Sequence, residues 1–182
     1  MSELFSIQLQ NRQQQGRDGI WLDLPTTTEQ VQAALRQIGI SSDNPQGLFI
    51  SGYFAEEEKR FAIPYNMVLA SNVDELNFLA SRLETLSTGE RAELNAALQA
   101  PQSELFSIGR ITDFPENVDY YVHLPDVRGP AQLGDYYLNR SGMVDMPEEW
   151  KGGIDTAQFG RYVAQQEQGV FTEYGYLVKS GD

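Results

Sequence analysis

The chain has almost none of the residues on which common catalytic and metal sites depend. It contains no cysteine and a single histidine, His123, among 182 residues. The missing cysteines exclude disulfides and thiolate metal sites, and one histidine cannot build a histidine-based nucleophile triad or a multi-histidine metal centre. The glycines lack the spacing of phosphate-binding loops. We therefore expect no metal, no cofactor and no enzymatic activity, and we interpret His123 as a structural or surface residue.

Long apolar runs are also missing. No stretch approaches the roughly 18 residues that a membrane-spanning helix needs, and the first residues lack the basic and apolar segments of a signal peptide. Hydrophobic residues still make up 41% of the chain and aromatic residues 11%, which is enough for ordinary cores. The sequence therefore predicts a folded, cytoplasmic protein that does not associate with membranes.

Basic residues are few relative to acidic ones. Lysine and arginine total 13 against 26 aspartates and glutamates, so the formal net charge is −13, and residues 104–182 contain thirteen of the acids. Between residues 113 and 149 the only bases are Arg128 and Arg140, and the acids are Asp113, Glu116, Asp119, Asp126, Asp135, Asp145, Glu148 and Glu149. A field of this sign repels nucleic acid and attracts basic proteins. We predict that these eight acids form a partner-binding surface and that the chain does not bind nucleic acid directly.

The first part of the chain, residues 1–64, has the pattern of a small α+β domain. Alternating apolar residues predict strands at 5–9 and 20–24, with a third strand around residues 49–53. Thr26 and Glu29 have capping-box spacing, and the helix that they begin should end at Gly39. One helix would then cover one face of the sheet.

Two further parts follow. Residues 65–103 predict a helical domain, because apolar residues recur at helical spacing on both sides of Ser87. Residues 104–182 predict a second α+β domain, with a helix that begins at Asp155 and an aromatic strand at 170–178. The predicted fold class is therefore α+β, in three small consecutive units.

Other interpretations of single features are weaker. Two carboxylates can hydrolyse glycosides, but among 26 acids some pair always lies at a suitable distance. Glu56-Glu57-Glu58 lacks the alternating donors and central glycine of a calcium loop, so we interpret it as a solvated turn. The aromatic residues after Tyr120 could stack bases, but they lie amid acids, and we interpret them as core and subunit-interface residues.

Several segments in a fixed order resemble the ArdA family of antirestriction proteins. They are Gly19–Pro25, the helix end Ile38-Gly39, Glu75-Leu76-Asn77, Gly134–Trp150 and Ile154–Arg161. Each segment alone is weakly specific, but the ordered set spans nearly the whole chain.

The resemblance implies an elongated molecule that dimerises through its C-terminal domain and mimics bent B-form DNA. It also implies binding in the DNA groove of type I restriction-modification enzymes, which protects incoming mobile DNA. The antirestriction motif of the family is similar to the stretch that contains Leu138, Gly142, Pro147 and Trp150. We interpret Gly160-Arg161 as structural, with the glycine admitting a close approach of helices.

A second interpretation of the same residues stays open. The charge argument does not specify which basic protein is bound. The chain could therefore be an acidic interaction or regulatory protein of the same fold, which binds another basic DNA-binding partner.

Overall fold

The computed structural model describes residues 3–14, 18–41, 43–117 and 120–180. The chain forms two compact units, one from Met1–Ser87 with Leu105–Asp113 and the other from Thr88–Glu104 with Phe114–Asp182. Each unit combines helices with a three-stranded antiparallel sheet, which confirms the α+β class. The division at 1–64, 65–103 and 104–182 stays a prediction, and the two helices expected in the middle domain belong to different units.

Helices and strands of the described ranges are numbered here along the chain. In chain order they are β1 (Phe5–Asn11), β2 (Ile20–Leu24), α1 (Thr28–Gln37), β3 (Leu48–Phe54), α2 (Tyr65–Leu69), α3 (Val73–Glu84), α4 (Thr88–Gln99), α5 (Ile108–Asp113), β4 (Tyr121–Leu124), α6 (Pro130–Asp135), a π-helical turn (Tyr136–Arg140), α7 (Glu148–Lys151), α8 (Thr156–Glu167), β5 (Val170–Thr172) and β6 (Gly175–Lys179). None of the helices in the described ranges is long and apolar enough to cross a membrane.

The first unit is built on the sheet β2-β1-β3. Ile7 in the central strand lies opposite Leu22 of β2 and Tyr53 of β3. Because side chains alternate along a strand, Phe5, Ile7 and Leu9 all face the core and are buried. The helix α3 adds an apolar stripe, whose buried members are Val73, Leu76, Leu79, Ala80 and Leu83.

The start of α1 differs from the prediction by one residue. Thr27, not Thr26, is the N-cap, and its partner in the capping box is Gln30, not Glu29. Asn77 of α3 binds the backbone of the preceding Thr26, through an N–H to Oδ1 bond of 2.7 Å and an Nδ2–H to carbonyl bond of 2.9 Å, so the Thr26 carbonyl accepts from a side chain and not from the first turn of α1. The predicted end is confirmed, since Gly39 follows the last turn at a φ of +70°.

The second unit is built on the sheet β4-β6-β5. Its core contains Val127, Leu133, Ala164, Tyr176 and Val178. The prediction of one closing strand at 170–178 was wrong, because the chain turns at residues 173 and 174 and forms a β5-β6 hairpin. Thr172 Oγ1 holds the turn, accepting from the Tyr174 N–H at 3.1 Å and donating to the Gly175 carbonyl at 2.8 Å.

Candidate functional site

The segment that resembles the antirestriction motif lies in the second unit, where α6 packs closely on α8. Glycine stands at both contact points. A Cβ on Gly134 would lie 1.9 Å from the Thr156 carbonyl oxygen, and one on Gly160 would lie 1.8 Å from the Pro130 carbonyl oxygen. Both distances are far below a van der Waals contact, so only glycine fits. The two glycines therefore fix the beginning of the motif segment against α8.

After Asp135 the helix widens into the π-helical turn. Such turns are rare and occur frequently at functional sites. Asp135 Oδ2 pairs with Arg140 Nη2 at 3.1 Å, and its Oδ1 accepts a hydrogen bond from Asn139 Nδ2 at 2.8 Å. Arg140 also lies 5.9 Å from the centre of the Tyr136 ring. Arg140 therefore neutralises part of the Asp135 charge, which is one of the eight acids predicted to bind a partner. Leu138, from the same turn, is buried in the core.

A carboxylate and two phenols anchor the π-helical turn to the rest of the unit. Glu167, in the last turn of α8, accepts hydrogen bonds from Tyr137 Oη at 2.5 Å and from Tyr176 Oη at 3.0 Å. Burial raises the pKa of both tyrosines, and the hydrogen bonds to the Glu167 carboxylate raise it further. Both phenols therefore remain protonated donors at neutral pH. Glu167 is used inside the fold and adds little to the acidic surface.

The motif segment ends in a loop and the short helix α7. Gly142 adopts a φ of +70°, which is the region that favours glycine. Pro147 precedes α7 as its N-cap. Within α7, Glu148 pairs with Lys151 Nζ at 2.6 Å. Trp150 is 67% exposed, so the segment presents a large aromatic side chain to solvent.

The predicted acids fall into three groups. Asp135 and Glu148 carry ion pairs, as described above. Asp126, Asp145 and Glu149 are exposed and form no ion pair within the described part of the chain. The remaining three are Glu116, which is exposed, Asp113, which is exposed but belongs to the first unit, and Asp119, which lies outside the described residues.

Two weaker candidates have structural roles. His123 Nε2 donates a hydrogen bond to the Tyr174 carbonyl oxygen at 2.8 Å, and so it holds the β5-β6 turn near β4. Glu56 pairs with Lys59 Nζ at 3.0 Å in a short exposed turn. No group of three or more histidine, aspartate or glutamate residues within the described ranges is arranged to hold a metal ion.

Sequence reasoning missed the outward face of the sheet in the first unit. Trp21 and Asp23 alternate with the apolar residues of β2, and both are exposed. The alternation that identified the strand had already placed them on the side away from the core. The exposed aromatic residue on the polar half of that pattern is the signal that identifies this surface.

The comparison with protein families agrees with the ordered segments. The model of the antirestriction protein (ArdA) family matches residues 15–178, a range that contains the close contact of Gly134 and Gly160, the π-helical turn and α7. No curated protein matches the chain. Because the family model covers nearly the whole chain, the chain belongs to the ArdA family of antirestriction proteins.

Proposed function

We propose that the protein is a DNA mimic that occupies the DNA-binding groove of type I restriction-modification enzymes and so protects incoming mobile DNA. The observation that carries the proposal is a group of exposed acids of the second unit, Asp126, Asp145 and Glu149, which form no ion pair with any described residue, in a chain of the ArdA family. An enzyme groove that binds DNA is lined with lysine and arginine. Exposed carboxylates that pair with no cation in the described part of the chain can meet these lysines and arginines.

The net charge supports the proposal quantitatively. A charge of −13 equals the phosphate charge of about six base pairs, because duplex DNA carries roughly one charge per 1.7 Å of its axis. Two copies would then match about 13 base pairs, which is the scale of a protein–DNA footprint. A field of this strength also speeds the encounter with a basic groove, and salt weakens it.

A homodimer is part of the proposal. In the described sheet of the second unit, β4 is an edge strand, and Val122 on this strand is 45% exposed. An edge strand with exposed apolar side chains is suited to pairing with a second chain. A pair formed through the second unit would place two motif segments in one particle and double the charge offered to the enzyme.

The experiment that tests the proposal is competition for the methyltransferase core of a type I enzyme. A labelled cognate duplex is bound to the core, and the purified protein is added across a salt series. We expect the protein to displace the duplex competitively, with an affinity that falls steeply as salt rises. No displacement at several-fold molar excess would contradict the decoy mechanism, and tight binding to another basic protein would favour the interaction or regulatory function.

Two matched triple variants locate the binding surface. The first combines Asp126→Asn, Asp145→Asn and Glu149→Gln, and the second combines Glu57→Gln, Glu58→Gln and Asp74→Asn, which are also exposed acids. Both lose the same charge. We expect the first to weaken competition roughly tenfold, the effect of three exposed charge pairs, and the second to change it much less. Equal effects would mean that only the net charge matters.

A further inference from the structure

The outer face of the first unit's sheet, formed by side chains of β1, β2 and β3 that point away from the core, combines aromatic and acidic groups. The strands place residues in two adjacent rows. One row contains Asp23, Ser6 and Phe54, and the next contains Trp21, Gln8 and Gly52. Trp21 is 52% exposed and Phe54 is 57% exposed, which is unusual for two large aromatic side chains on one small sheet.

The Trp21 ring reaches across this face. It extends from β2 across β1 towards β3, so that a Cβ on Gly52 would lie 3.0 Å from Trp21 Cη2. The missing side chain at Gly52 makes room for the ring. Gln8 lies between them, and its Oε1 accepts a hydrogen bond from Ser51 Oγ at 3.0 Å. A ring that packs against the backbone at Gly52 loses less freedom on binding than one that projects into solvent, which lowers the entropy cost.

A carboxylate stands beside the ring. Asp23 follows Trp21 by two residues on the same strand, so the two side chains rise about 7 Å apart on one face. Its Oδ1 accepts a hydrogen bond from Ser6 Oγ at 2.7 Å, and no residue in the described ranges forms an ion pair with it. A planar guanidinium can stack on an indole and direct its N–H groups at a neighbouring carboxylate.

The same face already binds one guanidinium from its own chain. Phe49 lies opposite Gln10, and the Arg12 guanidinium carbon lies 5.3 Å from the centre of the Phe49 ring. Tryptophan attracts cations more strongly than phenylalanine does. The adjacent row on this face holds Trp21, and the Asp23 carboxylate lies in the row beyond it.

We propose that the outer sheet face is a docking site for an arginine side chain of a basic protein partner, with Trp21 and Phe54 supplying aromatic surface and Asp23 supplying the charge. A net charge of −13 disfavours nucleic acid as the occupant and favours a basic protein. This inference rests on the proposed function only because both require a basic partner. It adds a contact on the sheet of the first unit, outside the motif segment.

The test is an NMR titration in which a hexa-arginine peptide is added to the isotopically labelled full chain. Binding is monitored through the chemical shifts of the backbone amides and the indole N–H groups. A hexalysine peptide is the charge-matched comparison. We expect shifts of the Trp21 indole and of backbone amides in β1, β2 and β3, with tighter binding of arginine than of lysine, because arginine stacks on aromatic faces. Trp21→Ala should weaken arginine binding about threefold to tenfold, and Trp21→Phe should retain most of it.

Matched variants separate docking from general charge attraction. Phe78→Ala removes another exposed aromatic residue of the same unit, and Asp74→Asn removes another exposed acid. We expect neither to change the preference for arginine, whereas Asp23→Asn should reduce it. Equal binding of the two peptides, shifts confined to other surfaces, or binding of an oligothymidine at the same amides would each overturn the proposal. Because no restriction enzyme is used, such a result leaves the competition experiment intact.

Discussion

The replacement Gly160→Ala should strongly destabilise the second unit, because the added methyl group has no room. It would meet three backbone atoms, the Pro130 carbonyl oxygen at 1.8 Å, the Pro130 carbonyl carbon at 2.7 Å and the Gly134 nitrogen at 2.8 Å. Backbone atoms cannot rotate away as a flexible side chain can. The helices α6 and α8 must therefore separate by roughly 1.5 Å, which loosens the core contacts between them.

The expected cost is about 3 kcal/mol, at the upper end of the range for overpacked cores. For a unit of this size, each kcal/mol lowers the melting temperature by about 4–8 °C, so the midpoint should fall by roughly 12–24 °C. Urea unfolding and thermal melts followed by circular dichroism measure both quantities. Gly89→Ala is the matched control, because it lies in α4 of the same unit with open space around it, and it should stabilise by up to about 1 kcal/mol.

A double variant sharpens the test. Gly134→Ala meets the Thr156 carbonyl oxygen at 1.9 Å and should cost a similar amount. Once one methyl group has separated the helices, the second needs less further movement, so the combined loss should be smaller than the sum. A loss of less than about 1 kcal/mol for Gly160→Ala, or strict additivity of the pair, would refute the argument from close packing.

Three other substitutions test separate parts of the molecule. Asn77→Ala should destabilise the first unit by about 2–3 kcal/mol in urea unfolding, because it leaves the Thr26 N–H and carbonyl without their partners. Tyr137→Phe should cost about 1–2 kcal/mol near pH 7. In the folded state the pKa of Tyr137 and Tyr176 lies above the ordinary value near 10. The two phenols therefore stabilise the fold fully below about pH 10, and this stabilisation is lost as the pH rises through the raised pKa values. Because Tyr137→Phe removes one of the two titrating groups, the free energy of unfolding of this variant should fall less steeply at alkaline pH. Arg140→Gln removes the ion-pair partner of the Asp135 carboxylate. The variant should compete with DNA for the restriction enzyme about twofold to fivefold better at low salt. Unchanged or weaker competition would argue against a role for Asp135 in binding.

Most of the local structure could be predicted because it depends on neighbouring residues. Alternation identified β1 and β2, and Asp155 was correctly predicted as the N-cap of α8, where its Oδ1 accepts from two backbone N–H groups. The errors arose where distant residues compete. Asn77 is 51 positions from Thr26, and local spacing cannot reveal that its side chain binds the Thr26 backbone at the start of α1.

The candidate site was less predictable for the same reason. The positions of the acids follow from the sequence, but their pairing does not. Asp135 meets Arg140 only because the helix widens into a π-helical turn, and helical periodicity gives no warning of this change. The close contact of Gly134 and Gly160 likewise depends on how two helices pack, which spacing along one helix cannot reveal.

The path of the chain between the two units has a consequence for synthesis. Residues 88–104 belong to the second unit, yet they leave the ribosome before residues 105–113, which complete the first unit by packing α5 on α3. The first unit therefore cannot finish folding until a piece of the second has already emerged. A fragment that stops at residue 87 lacks the cover that α5 gives to α3. Because each unit consists of two separate chain segments, no single break in the gene separates one unit from the other.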